Sequence, residues 1–599
     1  MDSKKLSYIA VIGAVAFLAY IVHDTRTQHE ADMYKIDKGG ILSKITNSVT
    51  NTNKNWTPNE SVTGNILAAN FAQDQRDWAL ANMYLDRLNN EVANDPSTSL
   101  RMMLLAVSAG QFDRATEYAQ RIEKIEAANK TTANNNDDTD ALGDGRDLAA
   151  LVMMAQAVRA GDLATAETRL MTVQSDALKA FVQPVILSWL KAGQKKPLDG
   201  WADGLSLLQA LHRGLAAEWA GQKNISNHIF DSLARVPLAP GGALMVAGYD
   251  IRNGRTEAAR AALTEALRRN PNDASLSSVL DALDHGQKPV LRPELSYHMQ
   301  GVTAGVAESF RDLSQMMLAD KAFDSALVFA QIGRLIRNDV PGLSLLVGNI
   351  FYDQGRFDDA AAVFASTQPD DADYADAQVR LSELRSEQGD TDAAIRILED
   401  LLDKKPSMRV AYALGEIYRG NDDNKKAVLA YDKAISLAIG DEAWSVYFVR
   451  AMALEELDKW DKAEADLKKA LSLRPENPHV LNYLGYSWAD RNINLTQARG
   501  MLMQALSRAP TDPYITDSLG WVLFKQGELK QAVLLLERAV SLKPYDPVLN
   551  DHLGDAYFKT GRTLEARYQW QRALDYADAK KDEKLIAEVS EKIKTGQLK

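Results

Sequence analysis

The 599-residue sequence contains no cysteine. This absence excludes disulfide bonds, thiolate metal ligands and thiol catalysis, and it excludes the lipid anchor of bacterial lipoproteins, which requires a modified cysteine. Histidines are few and scattered, with no i,i+4 pair and no HExxH, so no metal site is predicted. The phosphate-binding motif GxxxxGK[ST] and the nucleophile motif GxSxG are also missing. We therefore expect no metal, no cofactor and no enzymatic activity.

Positive charge is not in excess. The chain has 69 Lys and Arg against 81 Asp and Glu, which gives a net charge of −12. Proteins that bind nucleic acid normally present clustered Lys and Arg, so we expect no nucleic-acid partner. The many carboxylates are interpreted as solvated faces of helices rather than as a catalytic pair.

A long apolar run occurs at the N-terminus, from Leu6 to Val22, directly after Lys4 and Lys5. As a helix it would span roughly 25 Å at ~1.5 Å per residue, near the short limit for crossing a bilayer. We interpret residues 1–22 as a short cytoplasmic tail and an uncleaved transmembrane anchor. The two lysines favour an N-terminus left in the cytoplasm and a body carried to the other side.

Two alternatives to an anchor stay open for this apolar run. A cleaved signal peptide usually has a shorter apolar core that ends in a small-x-small site. Here the pair Ala14 and Ala16 lies inside the run, and the exit Tyr20–Asp24 is a poor cleavage site. The other alternative is a buried helix.

The rest of the N-terminal half divides into a linker and a helical region. Residues 23–64 are rich in Asn, Thr, Ser and Lys, and this composition predicts a flexible polar linker. Residues 65–290 show apolar positions spaced at three and four residues, which predicts successive helices and no strands. Within them the low-complexity stretch 129–147 is predicted to be a disordered loop.

The second half of the chain repeats with a period of 34 residues. Gly520 is followed by Gly554, Ala532 by Ala566, and Pro510 by Pro544, each 34 positions later. A period of this length is typical of helix–turn–helix solenoids, whose function is to bind rather than to catalyse.

The repeated residues resemble those of the tetratricopeptide repeat, whose pattern is W-x2-L-G-x2-Y, then Gly, A-x3-F, Ala and Pro. Leu414-Gly415 with Tyr418, and Leu553-Gly554 with Tyr557, are clear examples. Small residues let helix A of a repeat approach helix B, larger residues fill the remaining space, and Pro ends helix B. The resemblance implies an all-α fold: a right-handed α-solenoid of tetratricopeptide repeats over residues 291–578, with degenerate repeats before it. The transmembrane helix predicted from the apolar run precedes them. Residues 579–599 are predicted to form a capping helix with Leu585, Ile586, Val589 and Ile593 on one side.

The same resemblance implies a binding groove, because helix A of each tetratricopeptide repeat lines the concave surface. Aromatic side chains there provide contact area, and carboxylates can capture basic or backbone groups of an extended peptide. The alternative, left open, is that Trp521 and Phe524 pack against neighbouring helices. The groove positions lack the Lys/Asn clamp that holds a C-terminal carboxylate in some chaperone-binding relatives, so that function is not predicted. The groove residues carried over from the family are Tyr412, Glu416, Phe448, Met452, Asn482, Tyr486, Asp517, Trp521, Phe524, Asp551, Asp555 and Phe558.

Residues 481–540 also resemble a group of large tetratricopeptide-repeat proteins of Gram-negative envelopes. At least one of these, a lipoprotein, is an adaptor that binds a carboxyl-terminal processing protease and helps it degrade cell-wall hydrolases. The resemblance implies such proteins as partners, although this chain lacks a lipidated cysteine. The apolar run and the composition of the groove predict an inner-membrane scaffold with its repeats in the periplasm. The alternative is an assembly or secretion factor for polysaccharide export or a pilus. The oligomeric state stays open.

Overall fold

The fold is described from a computed structural model, in which every regular element of the described residues is an α-helix or a short 3-10 helix, as predicted. None of these helices is both long enough and apolar enough to cross a bilayer. The predicted anchor at Leu6–Val22 and nearly all of the predicted linker lie outside the described residues. The described residues are 62–74, 78–87, 96–132, 143–198, 205–271, 273–287, 289, 295–438, 440–579 and 582–596.

The described helices fall into two compact units, which divide between Leu381 and Ser382. The N-terminal unit consists mainly of antiparallel helix pairs. Its helices are α1 Val62–Asp74, α2 Trp78–Asp86, α3 Pro96–Ser108, α4 Phe112–Thr132, α5 Gly143–Arg159, α6 Leu163–Met171, α7 Asp176–Phe181, α8 Gln183–Gly193, α9 Leu207–Trp219, α10 Lys223–Leu233, α11 Pro240–Arg252, α12 Thr256–Arg269, α13 Ala274–Asp284, α14 Val302–Ala319, α15 Phe323–Ile336, α16 Leu343–Asp353 and α17 Phe357–Ala365.

The N-terminal unit is not a simple stack, because helices far apart in sequence pack together. Helix α15 contacts α3 and α5, and α14 contacts α8 and α9. The side-chain amide of Gln331 on α15 donates to the carbonyl oxygen of Ser108 on α3 at 3.2 Å. The later helices α14 and α15 of the unit therefore pack against its earlier helices.

The C-terminal unit is a regular series of helix pairs. From α19 onward each helix contacts the next one along the chain, and some helices A also contact the helix A of the following repeat. This is the predicted solenoid arrangement; its right-handed sense stays a prediction. The helices are α18 Tyr374–Glu387, in which the division falls, α19 Thr391–Lys404, α20 Met408–Gly420, α21 Asn424–Leu437, α22 Trp444–Glu456, α23 Trp460–Leu473, α24 Pro478–Asp490, α25 Leu495–Arg508, α26 Pro513–Lys525, α27 Leu529–Leu542, α28 Pro547–Lys559, α29 Thr563–Tyr576 and α30 Glu583–Thr595.

The motif glycine of helix A explains how the two helices of a repeat fit together. A Cβ atom at Gly415 would lie 2.3 Å from the ring of Tyr431, and one at Gly554 would lie 2.5 Å from the ring of Trp570. Such distances are far inside van der Waals contact, so only glycine admits these rings. The packing role predicted for the small residues is confirmed.

The turn between helices A and B places one residue in the left-handed region. Gly527 and Gly561 have φ of +80° and +82° there, which glycine adopts without a steric penalty. Earlier repeats use Asp458 and Asn492 at the equivalent position, with φ of +55°. Asp and Asn tolerate this conformation better than other residues, which keeps the turn where the glycine signal is lost.

Several helices A begin with an acid or amide cap followed by proline. Asp546 accepts hydrogen bonds from the N–H groups of Val548 and Leu549 at 3.1 and 3.3 Å, and Pro547 follows it. Proline suits the first helical turn because its missing N–H would have no helical partner there. Asp512 and Asn477 cap α26 and α24 in the same way.

Helix occupies more of the N-terminal region than the sequence predicted. Helix α1 begins at Val62, inside the predicted linker, and α4 and α5 cover both ends of the predicted loop at 129–147. Residues 133–142 of that loop lie outside the described residues. Asp147 is buried on α5 and accepts the N–H groups of Gln174 and Ser175, both at 2.7 Å. These tertiary bonds hold a segment in helix that its composition alone does not favour.

The division at Leu381 differs from the predicted domain boundary at 290/291. Residues after 291 belong to the N-terminal unit because they pack on earlier helices. Arg252 Nη1 donates to the carbonyl oxygen of Leu295 at 2.6 Å, and α14 packs on α8 and α9.

Candidate binding surface of the C-terminal repeats

The predicted groove residues lie on five successive helices A. Helix α20 carries Tyr412 and Glu416, α22 carries Phe448 and Met452, α24 carries Asn482 and Tyr486, and α26 and α28 carry the rest. The first three helices present half-buried side chains, whereas Asp517, Trp521, Asp551 and Asp555 are buried. We call this row of side chains the helix-A surface.

On α20 the predicted carboxylate is already bonded within its own repeat. Glu416 accepts the hydroxyl of Tyr431 at 2.5 Å and the guanidinium of Arg419 at 2.8 Å. Burial and the Glu416 carboxylate raise the pKa of Tyr431 above its usual value. Tyr412 stays half-buried, with its ring 6.2 Å from that of Tyr431.

On α22 and α24 the aromatic side chains meet across neighbouring repeats. The ring of Phe448 lies edge-on to that of Tyr483, with centroids 5.6 Å apart. Asn482 Oδ1 is inaccessible to solvent and accepts no hydrogen bond in the part of the chain that the structure describes. Burial raises the pKa of Tyr486 above its usual value, and its ring lies 6.2 Å from that of His552 on α28.

Trp521 is the centre of an aromatic stack on α26 and α28. Its ring stacks on Phe524, with centroids 4.9 Å apart, and on His552, with centroids 4.0 Å apart. Only 7% of Trp521 is exposed. For Trp521 and Phe524, the structure shows the alternative left open by the sequence, namely packing against neighbouring side chains; a partner contact by either residue stays a prediction.

His552, which sequence analysis did not select, bonds the predicted carboxylate of α26. Its Nδ1 lies 2.7 Å from Asp517 Oδ2, while Asp517 Oδ1 and Trp521 Nε1 have no partner among the described residues. Burial lowers the pKa of His552, but the carboxylates of Asp517, Asp551 and Asp555 together outweigh it, and the net pKa is raised. In the sequence, the only indication of this role is that His552 follows the predicted groove residue Asp551. In the structure, His552 lies on the side of α28 that contacts α26.

Lys592 on α30 forms ion pairs with Asp551 and Asp555, the two predicted carboxylates of α28. Its Nζ lies 2.8 Å from both carboxylate oxygens of Asp551 and 2.9 Å from Asp555. Asp555 also accepts the indole N–H of Trp570 at 2.9 Å. The two acids were predicted to face a partner; in the structure the chain's own helix binds them. Lys592 lies three residues after Val589, on the apolar side of α30. That spacing could have indicated from the sequence that Lys592 faces the neighbouring helices.

Two carboxylates share this one ammonium group. Burial and the charge of Asp555 raise the pKa of Asp551. Burial lowers the pKa of Lys592, but the two acids more than offset it and raise the net value. A buried site with more carboxylates than cations favours bound positive charge, whether as a proton on Asp551 or as the charged ammonium of Lys592.

The N-terminal unit contains a different polar cluster, in which His212 lies between Ser309 and Asp312 and contacts both. Ser309 Oγ lies 3.1 Å from His212 Nδ1, and His212 Nε2 lies 3.1 Å from Asp312 Oδ2. Trp189 Nε1 also donates to His212 Nδ1 at 3.3 Å, so Nδ1 accepts and Nε2 carries the proton toward Asp312. Ser309 is fully buried and bonds the carbonyl oxygen of Gly305 at 2.8 Å. This hydroxyl is not accessible to a substrate, and the trio joins helices α9 and α14.

An open cleft runs beside α4 in the same unit. It has a volume of about 460 Å³ and is lined mostly by polar side chains, among them Thr116, Gln156, Asp162 and Arg169. Gln156 already donates to Thr116 at 2.7 Å. Over the described ranges, no three His, Asp or Glu residues are grouped so that they could hold a metal ion.

Comparison with known proteins identifies the repeats. Models of the tetratricopeptide repeat match residues 351–417, 409–438, 444–477 and 491–547. A TPR repeat-containing protein of Pseudomonas aeruginosa is 30% identical over 162 residues, and the match covers 27% of either chain, so the chain spans about a quarter of that relative. The chain therefore contains tetratricopeptide repeats, and the predicted repeat class is confirmed.

Solved structures give weaker similarities. A tetratricopeptide repeat protein from Parabacteroides merdae is 15% identical, with a TM-score of 0.35, over 41% of this chain and 97% of that one. Yeast Tom70 is 13% identical, with a TM-score of 0.31, over 87% and 93%. The type IV pilus biogenesis factor PilW is 21% identical, with a TM-score of 0.27, over 31% and 87%. At these values the similarities carry no argument about function.

Proposed function

We propose that the chain is a non-enzymatic scaffold or adaptor that binds other proteins, or extended segments of them, along the helix-A surface. The observation that carries the proposal is the continuous row of aromatic and carboxylate side chains over five successive helices A. Contacts between Phe448 and Tyr483, and from His552 to Tyr486 and Asp517, join the row across repeats. Aromatic rings bind with little loss of conformational entropy, and the half-buried side chains of Phe448, Asn482 and Tyr486 keep part of their surface open to a partner.

We place this scaffold in the bacterial envelope, with Leu6–Val22 as an inner-membrane anchor and the repeats in the periplasm. The apolar run, the preceding lysines and the resemblance to envelope proteins support this location. An alkaline phosphatase reporter fused after residue 64 tests it, because that enzyme is active only when exported. An active reporter is expected, and an inactive one contradicts the periplasmic location.

The finer proposal is that the scaffold recruits cell-wall hydrolases to an envelope protease. It rests on the resemblance of residues 481–540 to protease adaptors. Crosslinking in the native cell, followed by identification of what co-purifies, distinguishes the two partner classes. A carboxyl-terminal processing protease or hydrolases support the adaptor function, whereas polysaccharide-export or pilus components support the alternative of an assembly factor.

Site-specific photo-crosslinking tests the binding surface itself. A photoreactive amino acid replaces Phe448 or Asn482 on helices A, and matched controls carry it at Leu534 or Tyr568 on helices B. The two control side chains are 67% and 63% exposed, so they are more accessible than the test positions. Crosslinks from helices A that are absent from helices B are expected. The reverse pattern places binding on the outer helices and contradicts the proposal.

A further inference from the structure

The acid pair of α28 is already bound by a basic side chain. Lys592 bonds Asp551 and Asp555 at 2.8 and 2.9 Å, and its side chain is 14% exposed. A third carboxylate, Asp517 on α26, bonds His552, which follows Asp551 directly in the sequence. Three carboxylates, of Asp517, Asp551 and Asp555, are thus paired with two basic side chains, His552 and Lys592. This excess of negative charge favours a basic side chain, from this chain or from a partner.

Lys592 belongs to a series of bonds between successive helices A. Arg491, the residue that follows α24, pairs with Glu455 on α22 at 2.7 Å, and His552 on α28 pairs with Asp517 on α26 at 2.7 Å. The bond from Lys592 on α30 to Asp551 is the next in the series. Helix α30 therefore makes the same kind of contact with α28 that α28 makes with α26, namely a basic side chain bonded to an aspartate of the preceding helix A.

Helix α30 is held less firmly than the helices A that it imitates. Helix α28 buries every residue from Leu549 to Tyr557, whereas Val589 alone is fully buried on α30. Leu585 and Ile593 contact the core but stay partly exposed. Elements with few buried apolar contacts open at a lower free-energy cost than the rest of a fold.

We propose that Lys592 is a displaceable occupant: a partner segment that carries lysine or arginine binds Asp551 and Asp555 in its place, and α30 moves away. This inference rests on the proposed function and names the chemistry of the partner. Exchange of one cation for another keeps both carboxylates paired. A neutral or acidic segment would leave two buried charges without a partner, which is strongly unfavourable.

The surroundings of the acid pair suit a backbone that accompanies the basic side chain. Asp517 Oδ1 and Trp521 Nε1, on the adjacent helix α26, supply an acceptor and a donor without partners among the described residues. His552 lies within electrostatic reach of Asp517, Asp551 and Asp555, which connects the two acidic positions. An extended segment over α28 would therefore meet polar atoms as well as the acid pair.

The test uses the full chain and a fluorescent hexalysine peptide, with hexaglutamate as the opposite-charge control, in 150 mM salt to weaken long-range attraction. The variants are Lys592→Met, Lys594→Met and the double variant Asp551→Asn/Asp555→Asn. Lys594 is exposed on the same helix, so both lysine variants change the net charge equally. Hexalysine is expected to bind Lys592→Met about tenfold more tightly than the unaltered chain or Lys594→Met. The double variant is expected to lose this binding.

Hydrogen exchange of the unaltered chain supplies a second measurement that needs no variant to fold. Addition of hexalysine is expected to speed the exchange of amides in α30. Equal binding to all variants, or unchanged exchange in α30, overturns the proposal and indicates general attraction to an acidic chain. If photo-crosslinks from Phe448 persist in that case, the scaffold function stands and only the displacement of Lys592 is wrong.

Discussion

The two units use the same element, the antiparallel helix pair, in different ways. In the C-terminal unit the side-chain bonds stay within a repeat or connect it to a nearby one; the bond from Lys592 to Asp551 joins residues 41 positions apart. In the N-terminal unit His212 reaches Asp312 across 100 positions and Gln331 reaches Ser108 across 223. The comparison shows that the regular repeats are joined by contacts between residues close in sequence. The degenerate repeats are also joined by contacts between helices far apart in sequence.

The difference extends to the charges that each unit buries. The N-terminal unit encloses Arg311, which donates to Glu308 at 3.1 Å and to Asp312 at 2.8 Å. Burial raises the pKa of Glu308; it also raises that of Asp312, but Arg311 and His212 together outweigh it there and the net pKa is lowered. The C-terminal unit instead buries Asp517, Asp551 and Asp555 on two successive helices A, where His552 and Lys592 bond them. We expect the N-terminal unit to unfold as one body and the C-terminal unit to lose its repeats more gradually.

The largest expected effect comes from removal of the buried cation of the N-terminal unit. Arg311→Met leaves Glu308 and Asp312 without their shared partner, which should cost about 3–5 kcal/mol of unfolding free energy. Hydrogen exchange with urea denaturation resolves the loss by region. Arg268→Met is the control, because Arg268 is 70% exposed in its pair with Glu265. Equal destabilisation by both variants would contradict the enclosed role of Arg311.

The next effect is a local one in the C-terminal unit. Gly554→Ala places a Cβ atom 2.5 Å from the buried ring of Trp570, and such overpacking should cost about 1–3 kcal/mol. Hydrogen exchange should show the loss in α28 to α30 and little change before α24. The control is Gly500→Ala, since nothing lies within 4 Å of a Cβ atom there. A loss of protection throughout the chain would show that the repeats unfold together.

A pH dependence should appear in the N-terminal unit at Asp250. Burial raises the pKa of this carboxyl to about 6, above its value in the unfolded chain, so the folded state binds the proton more tightly. The unit should therefore lose stability as the pH rises from about 4 to 6. Asp250→Asn should remove this slope and stabilise the unit by about 1–3 kcal/mol at pH 7. Denaturant unfolding at pH 4 and pH 7 measures the difference, and an identical effect at both pH values would contradict the assignment.

The smallest expected effect is at His552 in the C-terminal unit. Its pKa in the folded state is raised, so its contribution is complete below about pH 6.5, the unfolded value, and is lost as the pH rises through the folded pKa. His552→Gln should therefore cost more at pH 5.5 than at pH 8.5, by about 1 kcal/mol. The measurement is hydrogen exchange in α26 and α28. A larger cost at the higher pH would show that His552 is buried as a neutral group.

Much of the C-terminal unit could be predicted, because its contacts repeat with the sequence. Gly415 and Gly554, as the small residues of the repeat pattern, predict the close approach of helix A to helix B. The positions of Tyr412, Phe448 and Trp521 on successive helices A followed from the same period. The bonds from His552 and Lys592 could not be predicted, because each joins two helices whose relative rotation depends on side-chain packing.

The sequence by itself determined the class of fold and the two helices of each C-terminal repeat, because the spacing of Gly, Ala and Pro acts over a single helix–turn–helix. Tertiary structure alone decided that Asp147 is buried in helix, that α15 returns to α3, and that Lys592 covers the acid pair of α28. Each of these depends on groups between 27 and 223 residues apart. Over such separations the contact depends on the summed geometry of every intervening helix, and no local pattern carries that information.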